Sequence, residues 1–256
     1  MNSAFLRRVK LEREKVTAWD KYPFNITAIR DLDETEFHPR VTFIVGENGA
    51  GKSTLIEAIA IAAGLAADGG NKDLGGGSQH THSGLNQCIR LVKGWKYPKS
   101  FYYLRAESFY NVAAVVDSYG GNLVGSYGGV GLHEQSHGES FISLLTHKFK
   151  PNGFYILDEP EAALSPARQL VALRRIHDLV QQGSQFLIAT HSPILMAYLD
   201  AMILSCSKER GLHPISYKET EHYMITRNFL NYPEQAMETL LQDKPEPPRQ
   251  WRGIDE

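Results

Sequence analysis

The segment Gly46-Glu47-Asn48-Gly49-Ala50-Gly51-Lys52-Ser53-Thr54 constrains the fold more than any other stretch of the chain. It lies between the apolar run Val41–Val45 and the largely apolar stretch Ser53–Ala63, so it reads as a glycine-rich loop joining a buried strand to a helix. Glycines tolerate positive φ and let successive backbone N–H groups turn inward, and the helix N-terminus adds its partial positive charge. Such a loop grips phosphate. In a G-x4-G-K-[ST] pattern the lysine reaches the β- and γ-phosphates and the hydroxyl after it ligates Mg²⁺. Glu47, Asn48, Gly49, Ala50, Gly51, Lys52, Ser53 and Thr54 are therefore expected to contact nucleotide, with Ser53 on the metal. The alternative, a glycine turn opening an ordinary helix, explains neither the lysine nor the strand in front.

Three further apolar runs, Phe154–Leu157, Phe186–Ala189 and Met202–Leu204, read with Val41–Val45 as strands buried on both faces, which predicts an α/β fold with a parallel sheet. Ser165, Pro166 and Gly183 mark the N-cap, first residue and end of an intervening helix, whose apolar stripe is expected to be Leu170, Leu173, Ile176, Leu179 and Val180. With 256 residues and 42% hydrophobic content, one domain is expected over residues 1–243, with a lid region over about 64–150 and a tail over 244–256. Within the lid, the glycine-rich stretches Gly64–Gly84 and Ser118–Gly131 read as loops.

The run Phe154–Leu157 ends in Asp158-Glu159-Pro160. Carboxylates at the C-terminal edge of a parallel sheet face the crevice where ligands bind. Asp158 is placed to hold Mg²⁺, and Glu159 to accept a proton from a water attacking the γ-phosphate. Phe186–Ala189 ends in Thr190-His191-Ser192, and a histidine there can hydrogen-bond a γ-phosphate oxygen. Taken alone, the acidic pair could be a capped turn and His191 a structural cap; following the glycine loop in this order, they read as a hydrolytic set of Lys52, Glu159 and His191.

These residues resemble the ABC ATPase superfamily, and more narrowly its stand-alone AAA-family branch near the SMC, Rad50 and RecF heads. GENGAGKST, LDEPE and THS stand in the family's order, and Ser136-His137-Gly138-Glu139-Ser140 is similar to a divergent LSGGQ signature. The resemblance covers most of Val41 to Leu204. It implies a mixed P-loop sheet flanked by helices, antiparallel N-terminal strands and a helical signature subdomain. It implies hydrolysis of ATP with Mg²⁺ in a head-to-tail homodimer, Ser136 and Gly138 completing the partner's site. By the same resemblance, Phe24–Arg30 and Phe37 fall among the first strands, with Arg30 near the adenine. His137 and Glu139 replace the usual Gly and Gln, Ser165 stands where an Asp is usual, and Glu107 occupies roughly the place of the Q-loop glutamine. Read from the residues instead, Ser136 and Glu139 form an S-x-x-E capping box.

The rest bounds the role. A net charge of -2 gives no polyanion footprint, so nucleic-acid contact would need a local patch. Lys93 to Tyr103 interleaves bases with aromatics, as single-strand binders do, but also reads as an exposed loop entering a strand. Two distant cysteines, Cys88 and Cys206, fit a reducing cytoplasm, and no run is long enough to insert in a membrane. The pairs His80/His82 and His133/His137 read as loop histidines rather than metal ligands. Three roles follow: an ATPase driving a partner, an ATP-gated DNA-repair or defence subunit with slow turnover, and, less favoured, the energising subunit of a transporter.

Overall fold

The computed structural model describes residues 4–66, 83–106 and 136–241. Glu107, His80, His82, His133, the stretch Ser118–Gly131 and the tail lie outside them.

Six strands form the main sheet: β3 (Val41–Val45), β5 (Ser100–Arg105), β6 (Gly153–Asp158), β7 (Gln185–Ala189), β8 (Ala201–Ser207) and β9 (Gly211–Pro214), in the order β5-β6-β7-β3-β8-β9. All neighbours are parallel except the β8/β9 edge hairpin. The strands β3, β6 and β7 are buried throughout, as their unbroken apolar runs require. Alternation splits their side chains between two cores. Ile44, Ile156 and Leu187 point to one face, and Phe43, Tyr155 and Ile188 to the other.

The first face is covered by α2 (Lys52–Ala62) and by a three-stranded antiparallel sheet of β1 (Leu6–Leu11), β2 (Glu34–Glu36) and β4 (Ile89–Lys93) in the order β2-β1-β4. Antiparallel N-terminal strands are thus present, but not where the resemblance put them: Thr27–Arg30 forms a short helix, α1, and Phe24 packs at the core margin in an edge-on contact with Trp19. The strand β1 instead uses the alternating Arg/apolar stretch before it, burying Leu6, Val9 and Leu11 and exposing Arg7 and Lys10. Gln185 joins the two sheets. Its buried amide oxygen accepts from the N–H groups of Phe5 and Leu6, both at 2.9 Å, and its nitrogen donates to the carbonyls of Leu6 at 2.8 Å and His38 at 2.9 Å. Every lone pair and proton of the side chain is used.

The second face is covered by α4 (His137–His147), α5 (Pro166–Gln181) and α6 (Pro193–Met196), which follow the short α3 (Leu85–Cys88) in the chain. Ser165 caps α5 by accepting from the Arg168 N–H, and Gly183 takes a φ of 83° just beyond the helix end. The buried stripe of α5 is Gln169, Ala172, Ile176, Leu179 and Val180. Leu170, expected in it, is 60% exposed. Gln169 takes that side of the helix because its amide is satisfied inside, by the Leu164 carbonyl and the Ser192 hydroxyl. Two C-terminal helices, α7 (Glu221–Asn231) and α8 (Pro233–Leu241), complete the described chain, α7 resting on α6.

Candidate nucleotide site

The strand order places β3 between β7 and β8, with β6 one strand further along, so the loops leaving β3, β6 and β7 open at the same sheet edge. Every residue of the expected hydrolytic set is on one of those loops or, for Lys52, at the start of the helix that follows it.

Gly46, Gly49 and Gly51 take φ values of 142°, 78° and 99°, which side chains strongly disfavour. Gly46 is also fixed by space, since a Cβ there would come within 2.2 Å of the Cys206 carbonyl oxygen on β8. Lys52 opens α2, is 3% exposed, and donates to the carbonyls of Gly46 at 2.8 Å and Glu47 at 3.0 Å. Its ammonium is wrapped by its own loop, and burial lowers its pKa against the opposing pull of Glu159, Asp158 and Glu161. Ser53 Oγ donates to Asp158 Oδ1 at 3.1 Å, bringing the two expected metal ligands together. Thr54 Oγ1 lies 2.9 Å from the hydroxyl of the exposed Tyr22, and Glu47, Asn48 and Gly49 form the solvent-facing rim above Ala50.

Asp158 is buried at the end of β6, with Arg105 Nε 3.9 Å from its second oxygen. The same guanidinium donates to Glu57 on α2 at 3.0 Å, so an arginine braces the carboxylate from behind. Glu159 then turns out of the strand in a left-handed conformation, φ 51° and ψ 51°. This is an uncommon backbone for a residue with a side chain, and its energetic cost is about 1 kcal/mol or more. It sends the Glu159 carboxylate to 3.5 Å from His191 Nε2. His191 Nδ1 lies 2.8 Å from Nε2 of His222 on α7, and burial lowers the pKa of the His191 ring, with Lys52 adding to the effect.

Ser136 caps α4 with the reciprocal capping box expected from S-x-x-E. Its hydroxyl donates to Glu139 at 2.7 Å and accepts from Arg168 Nη1 at 3.0 Å. Gly138 lies beneath that guanidinium, where a Cβ would be 2.5 Å from Arg168 Nη1. Arg30 is not drawn to the glycine loop: its guanidinium pairs with Asp31 at 3.0 Å on the exposed side of α1.

Four residues of this architecture escaped the sequence reading. Arg105, Glu161, Arg168 and His222 carry no motif of their own, and only the fold brings them in. Glu161 alone left a trace, as the last letter of LDEPE. It accepts from the Thr190 hydroxyl at 2.7 Å and the His191 N–H at 2.5 Å.

Two family models match in succession. One, described as "AAA domain", matches residues 24–93, and the other, described as "AAA domain, putative AbiEii toxin, Type IV TA system", matches residues 97–197. Neither model alone spans half of the chain, and together they match AAA domains over most of residues 24–197. No curated protein matches the chain. Among solved structures, the chain is similar to the SMC head domain from Thermotoga maritima, with 16% identity, 83% of this chain and 99% of that one covered, and a TM-score of 0.47. It is also similar to MJ1267, an ATP-binding cassette of an ABC transporter, in its ADP conformation, with 18% identity, coverage of 93% and 99%, and a TM-score of 0.49. A third is cbiO1 from Clostridium perfringens, part of the ABC transporter complex cbiONQ, at 19% identity, 93% and 100% coverage, and a TM-score of 0.45. No helix among the described residues is long and apolar enough to cross a membrane.

Proposed function

We propose that the chain binds Mg-ATP on the loop Gly46–Thr54 and hydrolyses it, with Glu159 as the general base. The observation that carries this reading is the convergence of Lys52, Ser53, Asp158, Glu159 and His191, from three strand ends, around one glycine-lined cradle. Its donors are hard oxygens, Ser53 Oγ and Asp158, which suits Mg²⁺, an ion that takes one or two protein oxygens and fills the rest of its octahedron with water and phosphate. Bound there, Mg²⁺ would neutralise charge on the β- and γ-phosphate oxygens.

The chain's own groups supply the rest. The Lys52 ammonium, held inside the loop, can transfer from the Gly46 and Glu47 carbonyls to phosphate oxygens at little cost in side-chain order. Glu159, in its left-handed turn, presents a carboxylate for the proton of an attacking water. His191 offers Nε2 on the same side. The water-excluding wall is incomplete in one copy, since Glu159 keeps a side-chain exposure of 40%. A second copy, docked head-to-tail through the Ser136–Gly138 end of α4, would close it, and opening and closing would drive a partner protein in a cytoplasmic setting.

The test is a pair of substitutions. Glu159→Gln should accumulate an ATP-bound dimer on size exclusion, and Lys52→Ala should lose nucleotide binding. A Glu159→Gln chain that stays monomeric with saturating Mg-ATP would defeat the dimer, and unchanged affinity in Lys52→Ala would defeat the cradle.

A second reading, an ATP-gated nucleic-acid-binding subunit with slow turnover, is favoured by one surface. Trp95 and Tyr97 are 74% and 72% exposed, with Lys96 5.2 Å from the Trp95 ring centre. Exposed aromatics beside lysines can stack on single-stranded bases. Stimulation of hydrolysis by single-stranded DNA, lost in Trp95→Ala, would establish it.

A further inference from the structure

We infer that His222 is a positioning residue for the hydrolytic site: it fixes the tautomer of His191, so that the C-terminal helix α7 determines which proton His191 presents to the nucleotide. The inference rests on the reading of Gly46–Thr54, Glu159 and His191 as a nucleotide site.

The geometry starts from a hydrogen bond between two imidazoles. His191 Nδ1 and His222 Nε2 are 2.8 Å apart, with ring centres separated by 4.9 Å and planes inclined by 66°. Between two neutral rings such a contact holds one proton, and whichever ring donates it determines the other's tautomer. If His191 donates from Nδ1, its Nε2 is left with a lone pair. If His222 donates, His191 must carry its proton on Nε2.

The surroundings of Nε2 choose between these. That atom is covered from solvent, has no hydrogen-bond partner among the described residues, and faces Glu159 Oε1 at 3.5 Å. A lone pair turned toward a carboxylate oxygen is repelled, whereas an N–H there is attracted. Lys52, whose charge acts on the ring, is engaged with the Gly46 and Glu47 carbonyls. Hence the proton belongs on Nε2 and His222 is the donor; Glu159 at 3.5 Å makes no hydrogen bond to the ring, so the 2.8 Å bond from His222 is the contact that holds this tautomer against the other. An Nε2–H can donate to a γ-phosphate oxygen; the other tautomer would set a lone pair against it.

The fold holds His222 in place for this. Thr220 caps α7, accepting from the Tyr223 N–H, and the Tyr217 hydroxyl ties the approach to the Pro193 carbonyl at 3.0 Å, two residues after His191. The donor ring is thus referenced to the strand end that carries the acceptor ring. No residue of α7 is fully buried, so this helix can shift without opening the core, taking the His222 ring with it.

The experiment uses the full chain labelled with ¹⁵N-histidine, and reads the His191 tautomer from ring ¹⁵N shifts assigned by His191→Asn. The wild-type protein should show His191 protonated on Nε2. The substitution His222→Phe keeps the ring volume and removes the donor; it should leave His191 in mixed tautomers, reduce kcat about tenfold, and leave the KM for ATP unchanged. The substitution His222→Gln keeps an N–H donor and should restore the Nε2–H tautomer and most of kcat. A purely structural role would lower Tm and nucleotide affinity together and would leave the surviving folded protein with normal tautomer and kcat. A wild-type His191 protonated on Nδ1, or a His222→Phe protein with unchanged tautomer, overturns the inference. If the wild-type chain binds no ATP, the nucleotide reading fails, and the tautomer measurement still decides what His222 does.

Discussion

Arg168, on the first turn of α5, donates through Nη1 to Ser136 Oγ at 3.0 Å and through Nη2 to Glu139 at 2.9 Å, gripping both members of the α4 capping box at once. The guanidinium is partly exposed at the helix end that the dimer reading turns toward a second nucleotide. It adds a fixed positive charge to the dipole at that end.

Arg168→Ala is therefore expected to separate stability from assembly. The exposed pair contributes about 1 kcal/mol or less to folding, so Tm should move by only a few degrees. The ATP-dependent dimer of the Glu159→Gln chain should weaken by at least about tenfold in sedimentation measurements, because a guanidinium desolvated against phosphate is worth far more than one in water. An unaltered dimer would show that Arg168 serves the cap alone.

Glu159 offers a second separation. Its positive φ costs about 1 kcal/mol or more, a cost a glycine would not bear. Glu159→Gly should therefore abolish turnover while Tm holds or rises, with the gain limited because glycine also loosens the unfolded chain. A large fall in Tm would mean that the carboxylate stabilises the fold, for example through His191, and that the turn is unstrained.

Gln185→Leu should destabilise the protein by about 2–4 kcal/mol in urea denaturation, without reference to nucleotide. The substituted side chain approximates the volume but strands the N–H groups of Phe5 and Leu6 and the carbonyl of His38, all satisfied by the amide in the native protein. A loss below about 0.5 kcal/mol would indicate that β1 is held to the sheet by apolar contact alone.

Acid should weaken the fold through the histidine pair. Burial, then the neighbouring His191, then Lys52 push the His222 pKa from the ordinary 6.5 to about 4. His191 is lowered as well, by burial and Lys52, against the opposing carboxylates Glu159 and Glu161. The unfolded chain protonates His222 near pH 6.5 and the folded one only near pH 4, so stability falls as pH drops through that window and flattens below it, and the lowered His191 contributes in the same direction. After allowance for partial solvent screening the loss is about 1–2 kcal/mol. Thermal melts between pH 7.5 and 4.5 should show it, and His222→Gln should reduce it. An equal slope in that variant would assign the effect to other groups.

The sheet and the grouping of its candidate site were legible from sequence for a physical reason: strands buried on both faces admit few polar residues, and those only where they are hydrogen-bonded, so Val41–Val45 and Phe154–Leu157 read as strands, and the polar residues at their ends stood out. The α5 boundaries were equally plain from Ser165, Pro166 and Gly183. Its buried face was not, because Gln169 is inside and Leu170 outside; a satisfied amide can replace a leucine, and hydropathy does not register the two partners that allow it. The strand β1 was hidden for a related reason, since its outward side is lined with Arg7, Arg8 and Lys10, and an alternating basic stretch has no unique reading until β2 and β4 flank it. Arg105, Arg168 and His222 act across 31 or more residues of chain, on partners no spacing rule could nominate.

Glu161 gives the site a mechanical property. One carboxylate holds the Thr190 hydroxyl and the His191 backbone amide, so the turn that follows the acidic strand is stapled to the turn that carries the histidine. A displacement of either segment pulls on the other. A force arriving at the Pro160–Ser165 turn, from whatever surface docks there, would reach Glu159 and His191 in the same instant, and the two would engage or release as one latch.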